Sequence, residues 1–179
     1  MSATVVTSQP AIRLGQNTGA RSLLQTAASS VKLLLHTTDG SRRGNIGHPM
    51  GPTPLPSIEA FVASVAQTLK ASPVVVVTSL IYVERLSKRL PQSATGKADT
   101  PYRIFLVSLL LADKFWSDRA MGVKALVAAT GGLFRHAEIL AMEKALLRII
   151  GFDLFVSAAH IRRFARALGI EIDATIPPL

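Results

Sequence analysis

The stretch Ile104–Ala112, reading IFLVSLLLA, is wedged between Arg103 and the pair Asp113-Lys114. Wound as a helix, it points apolar side chains in every direction, so it is stable in water only if neighbours cover it on all sides. Crossing a bilayer takes about 20 apolar residues. Both this stretch and the other uncharged one, Ala71–Val83, fall short of that. The chain is therefore expected to build a globule around this helix, with no membrane partner. Its composition, 49% hydrophobic and 17% charged, supplies the surrounding core. Its 179 residues suit one domain with tails.

The punctuation around that helix is helical throughout. Ser57 is placed to cap a helix from Ile58 to about Lys70, with Ile58, Phe61, Val62, Val65 and Leu69 on one face. Ser72-Pro73 repeats the signal of a cap followed by a proline that has no N–H to satisfy. The run Val74–Val77 also suits a strand. Helix is preferred, because Val76, Leu80, Val83, Leu86 and Leu90 form a stripe opposite Glu84, Arg85, Lys88 and Arg89. Thr100-Pro101 opens the third, central helix in the same way. A short helix over 122–130 stops at Gly131-Gly132, a fifth over 135–150 stops at Gly151, and a sixth runs from the cap Ser157 to Leu168 before Gly169. No strand pair with a hairpin signal interrupts the series, so the fold class is all-α.

Residues 1–38 hold no acidic side chain and are rich in Ser and Thr, with a short apolar patch at Val31–Leu35 that suits one helical turn. From Asp39 to Pro56 four glycines and four prolines read as an irregular linker. The expected organisation is a disordered tail and linker over 1–56, a helical domain over 57–156, and a short C-terminal helix and tail over 157–179. The tail also resembles a mitochondrial transit peptide in composition, but its first arginine is Arg13 and Pro10 interrupts it. Cytoplasm and nucleus are the preferred location, a reducing setting that suits a chain with no cysteine. The net charge of +9 divides into +4 over 1–56 and +5 over the remainder, and it favours acidic partners without specifying a fold.

Two charges stand in apolar places. Glu143 falls in the middle of the arc made by Ile139, Met142, Leu146, Leu147, Ile149 and Ile150. Burying an isolated carboxylate there costs several kcal/mol, so it must be paired, protonated, or completed by a second protein. Lys114 poses the same question beside Val107, Leu110 and Leu111 and next to Phe115 and Trp116. Its place in a last helical turn and its long stem give it an ordinary explanation. An internal salt bridge between two packed helices would account for both.

The segments TPYRIFLVSLLLADKFWSD and FRHAEILAMEKALLRIIGFDLFVS resemble the middle and end of a cyclin box, the five-helix fold by which cyclins bind and activate protein kinases. SLIYVERLSKRLP, the following loop and PYRIFLVSLLLADKF are similar to the fungal PCL-type cyclins. The resemblance runs from about Pro56 to Ser157. It implies a non-catalytic regulatory subunit in a heterodimer with a cyclin-dependent Ser/Thr kinase. It further implies that Lys114 and Glu143 together grip the kinase near its mobile C-helix, with Phe115, Leu147, Phe152 and Leu154 as apolar contacts. DRAMGVKALV lacks the Asn-rich loop and helix-starting aromatic of the family, and Tyr102 stands where these cyclins commonly have histidine. About 20 residues follow the box, too few for a second one.

No other motif competes strongly. His36, His48, His136 and His160 have no metal-ligand spacing, Gly131-Gly132 lacks the Lys-Ser/Thr of a phosphate loop, and no nucleophile, base and acid stand together. No catalytic residue, metal or cofactor is expected. Thr53-Pro54 fits the minimal target of proline-directed kinases and is a candidate phosphorylation site. The alternative function is a basic module of cyclin fold that binds nucleic acid or transcription machinery through Arg162, Arg163 and Arg166.

Overall fold

The computed structural model describes residues 18–34, 45–48, 51–91, 93–170 and 172. They form α1 (Thr18–Leu34), β1 (Asn45–His48), β2 (Gly51–Pro54), α2 (Ile58–Thr68), α3 (Pro73–Arg89), α4 (Thr100–Trp116), α5 (Val123–Ala129), α6 (His136–Ile149) and α7 (Ala158–Ala167). The body is all-α. The only sheet among the described residues is the antiparallel pair β1–β2, with Ile46 opposite Thr53, where an irregular linker was expected.

Most helix boundaries follow from local chemistry. The hydroxyls of Ser57, Ser72 and Ser157 accept hydrogen bonds from the amides of Ala60, Val75 and His160, satisfying donors that the first turn leaves free. At the end of α6, Gly151 takes φ +64°; its amide bonds to the Arg148 carbonyl, and that of Phe152 bonds to the Leu147 carbonyl. That pair of bonds is a Schellman motif. Phe152 is itself left-handed, at φ +57°, a conformation that strains a bulky residue. Thr100 departs from expectation: it is the first residue of α4 rather than its cap, and the cap position falls to Asp99, whose carboxylate caps nothing and instead pairs with Arg103 at 2.5 Å.

The core has two central helices rather than one. Every residue of α4 from Phe105 to Asp113 is buried, as the all-round apolar pattern demands. Every residue of α3 from Val74 to Val83 is buried too, so the one-faced stripe expected there is corrected to near-complete burial. The two helices, of 17 residues each, pack along each other, and α2, α5, α6 and α7 close around them. Phe61 on α2 meets Tyr102, Phe105 and Phe134 edge to face, with centroids 5.1–6.4 Å apart. Ser108 Oγ, in the middle of α4, is buried with no partner among the described residues.

The expected tail over 1–56 is corrected across α1. Leu23, Ala27, Ala28 and Val31 are buried against α2 and α3. Lys32 pairs with Glu59 at 2.5 Å and holds that carboxyl below the usual range. The alanines let the helix backbone approach closely, while Leu23 and Val31 supply apolar area. Residues 1–17 and 35–44 lie outside the described residues. At the other end, Ile161 and Ala165 of α7 join the same core.

Leu23→Ala should cost about 2–3 kcal/mol in a denaturant titration, the lower part of the range for buried leucine. A residue in a tail would cost nothing.

Candidate functional site

The site is built from the C-terminal end of α4, the outer face of α6 and the segment that links α6 to α7. Lys114 lies in the last turn of α4 and Glu143 in the middle of α6. The packing of α4 on α6 brings Nζ of Lys114 to 2.5 Å from Oε1 of Glu143. The Glu143 side chain is 11% exposed and that of Lys114 is 42% exposed. The buried carboxylate is thus satisfied inside the chain, while the lysine keeps a face to water. Of the three solutions open to Glu143, pairing is the one realised.

The turn beyond Lys114 is fixed by its neighbour Asp113. This buried carboxylate accepts from Ser117 Oγ at 2.8 Å and from the Met121 amide at 2.5 Å, closing the turn that leads to α5. Phe115 and Trp116 stack edge to face at 5.2 Å, both half-buried. The indole N–H of Trp116 donates to Thr78 Oγ1 on α3 at 2.9 Å.

One turn after Glu143 on the same face of α6 comes Leu147, half-buried, whose carbonyl receives the Phe152 amide. From there the chain presents three large apolar side chains to solvent: Ile149, Phe152 and Phe155, exposed by 41%, 67% and 64%. Leu154, between the two phenylalanines, is half-buried against the core. Isolated exposed apolar residues are ordinary, but several in one short segment mark a surface that meets another molecule.

That segment is held by α3. Tyr82 Oη donates to the Leu154 carbonyl at 2.8 Å, and Arg85 donates to the carbonyls of Asp153 and Phe155 at 2.6 and 2.7 Å. Arg89 donates to the Ile149 carbonyl at 3.2 Å, and both arginines approach the Asp153 carboxylate. Burial pushes the Tyr82 phenol far above its ordinary pKa, so it stays a donor at any physiological pH. The sequence reading missed these residues because it placed Arg85 and Arg89 on a solvated face. The available signal was spacing: Thr78, Tyr82, Arg85 and Arg89 recur at intervals of 4, 3 and 4, one stripe of hydrogen-bonding side chains on a helix otherwise largely buried.

The structure therefore brings Lys114, Glu143, Phe115 and Leu147 together at the α4–α6 seam and sets Phe152 and Leu154 on the segment fixed to α3. Thr53 stands apart in β2. The α7 arginines, Arg162, Arg163 and Arg166, are exposed. No metal-holding cluster exists among the described residues, and none of their helices is long and apolar enough to cross a membrane.

Residues 55–155, more than half of the chain, match the family described as Cyclin, N-terminal domain. The chain belongs to the cyclin family. Cyclins as a family are non-catalytic regulatory proteins. It is similar to the fungal PCL-type cyclins. It shares 34% identity over 109 residues with PHO85 cyclin-1 of Saccharomyces cerevisiae, covering 61% of this chain and 39% of that protein. With PHO85 cyclin-9 of the same organism it shares 30% over 107 residues, covering 59% and 35%. The cyclin thus spans well under half the length of either relative.

Tyr82→Phe removes one hydrogen bond and leaves the Leu154 carbonyl without its donor, at a cost of about 1–2 kcal/mol in thermal or denaturant unfolding. Hydrogen exchange of 152–156 should quicken by more than that of α4, because the lost bond anchors only this segment.

Proposed function

We propose that this cyclin is the activating subunit of a cyclin-dependent Ser/Thr kinase and holds the kinase C-helix through a surface centred on Lys114 and Glu143. The observation that carries this reading is the half-exposed lysine of the ion pair with apolar residues beside it in sequence and on α6. Half-buried Phe115 and Leu147 follow Lys114 and Glu143 on their helices, exposed Phe152 and half-buried Leu154 form an apolar shelf on the segment after α6, and Tyr82 and Arg85 fix the backbone of 153–155. A rigid shelf gives up little conformational entropy on binding, so more of its apolar area counts toward affinity.

The mechanism is positional. A kinase is competent for phosphoryl transfer only when its C-helix is swung inward and the glutamate on that helix reaches the active-site lysine. The cyclin supplies a fixed surface that favours the inward state, and the degree of activation equals the difference in its affinity for the two states. The free donors of Lys114 and the remaining lone pairs of Glu143 would bond to backbone or polar groups of the C-helix, with the apolar shelf against its hydrophobic side. Such signalling interfaces commonly bury about 2,000 Å² or more.

The relatives named as PHO85 cyclins support a kinase of that kind as partner, and a heterodimer is the proposed assembly. Cytoplasm and nucleus are the proposed location, and Thr53, followed by Pro54, is the proposed phosphorylation site. The nucleic-acid alternative rests on the α7 arginines alone and has no geometric support beyond their exposure.

A purified kinase of the PHO85 kind should co-purify with wild type, and Lys114→Ala should weaken binding by about 2–5 kcal/mol, because Glu143 and its counterpart lose a partner. The double replacement Lys114→Met with Glu143→Met separates folding from binding. Replacing a buried pair by apolar residues of similar volume leaves stability near wild type, yet kinase binding should still be lost. A double variant that folds and binds normally would reduce the pair to a structural strut.

A further inference from the structure

Helix α7 has a buried face that contains Ile161 and Ala165, and its opposite face carries Arg162, Arg163 and Arg166. At 100° per residue the three arginines fall within one arc of about 100°, and Arg162 and Arg166 lie about 6 Å apart along the axis. All three are exposed, and none of their guanidinium groups has an ion pair or hydrogen bond to any described residue. His160, beside the arc, lies within electrostatic reach of Arg163 and of Arg85 and Lys88 on α3, the latter two already paired with Asp153 and Glu84. Three guanidinium groups that repel one another, with no counter-charge paired to them among the described residues, raise the free energy of the free protein. An anionic ligand would remove that cost.

The dimensions argue for a compact anion. Faces that bind duplex nucleic acid neutralise roughly 6–10 phosphates, whereas this arc spans the distance of one or two. Arginine suits the task, since its planar fork bonds two phosphate oxygens at once where lysine offers a point charge. The patch also adjoins the kinase-facing shelf, because the same Arg85 that lies near His160 holds the carbonyls of Asp153 and Phe155. A protein segment phosphorylated by the bound kinase would therefore meet the patch without leaving the complex.

We propose that the exposed arginines of α7 form a docking site for a phosphorylated protein segment, with Arg162, Arg163 and Arg166 receiving the phosphate. The source of that phosphate rests on the kinase reading above, but the binding itself does not. Its consequence is retention: one phosphorylated site on a substrate raises the effective concentration of the others at the kinase.

The test uses the full chain without kinase and a degenerate pool of Ser-Pro peptides in three forms: phosphorylated, unphosphorylated, and with paired glutamates replacing the phosphate. The phosphorylated pool should bind at least about tenfold more tightly than either other form, the margin expected of charge-assisted bidentate bonds. Arg162→Ala with Arg166→Ala should abolish that margin, since both side chains are exposed and the fold does not depend on them. Arg162→Lys with Arg166→Lys should recover less than half of it. Bound phosphate should also move the His160 ring resonances in NMR, which a remote site would leave unchanged. Because the assay contains no kinase, its outcome does not depend on the kinase reading, so failure of that reading and failure of this one are told apart. Equal binding of the phosphorylated and glutamate pools, or an unaffected double alanine variant, would overturn the proposal. So would tighter binding to a duplex oligonucleotide with a steep salt slope.

Discussion

Four polar side chains along α3, the acceptor Thr78 and the donors Tyr82, Arg85 and Arg89, hold in place almost everything that faces outward at the site. The first receives the Trp116 indole beside Lys114, and the others bond to carbonyls of the segment after α6. That segment has no regular structure of its own to satisfy those carbonyls, and it carries two of the most exposed phenylalanines in the protein. Left to itself it would collapse its apolar side chains onto the core or fray into solvent. The donors prevent both, and the left-handed turn at Gly151 and Phe152 fixes the angle at which the chain leaves α6. A Cβ at residue 151 would stand 2.7 Å from the tip of the flexible Arg89 side chain, which can shift, so glycine is favoured there by its backbone angle, φ +64°.

The ion pair between Lys114 and Glu143 depends on the same frame. Its carboxylate is desolvated by α4 and α6, and only a fixed cation makes that burial tolerable. An internal partner explains why the chain folds with the charge in place, but an internal pair alone would serve equally well in a protein with no partner. The functional weight comes from what surrounds it: the half-exposed lysine, Leu147 one turn away and the rigid shelf beyond. An apolar surface held open against its own tendency to bury itself is what the proposed kinase contact rests on.

Much of this was legible in the sequence because it is local. Ser57, Ser72 and Ser157 cap the helices they precede, and Gly151 and Gly169 take the left-handed conformation after the helices they end. The central α4 was readable because nothing but full burial suits IFLVSLLLA. Helix α1 was not, because its contact face pairs Leu23 and Val31 with two alanines, and small residues that pack closely are indistinguishable in composition from a Ser/Thr/Ala-rich tail. Arg85 was misplaced for a related reason. Hydropathy assigns a guanidinium to water, whereas its partners here are backbone carbonyls 68 and 70 residues away, which no local pattern encodes. Lys114 and Glu143 were identified individually as misplaced charges. Their contact needed the packing of α4 on α6.

The most direct test of the account is hydrogen exchange of this cyclin with and without a bound cyclin-dependent kinase. Protection should concentrate at 113–117 and 147–155, the turn beside Lys114 and the shelf that α3 holds, with the outer face of α7 unchanged. Protection confined to α7, or absent from both segments while the kinase is bound, would contradict it.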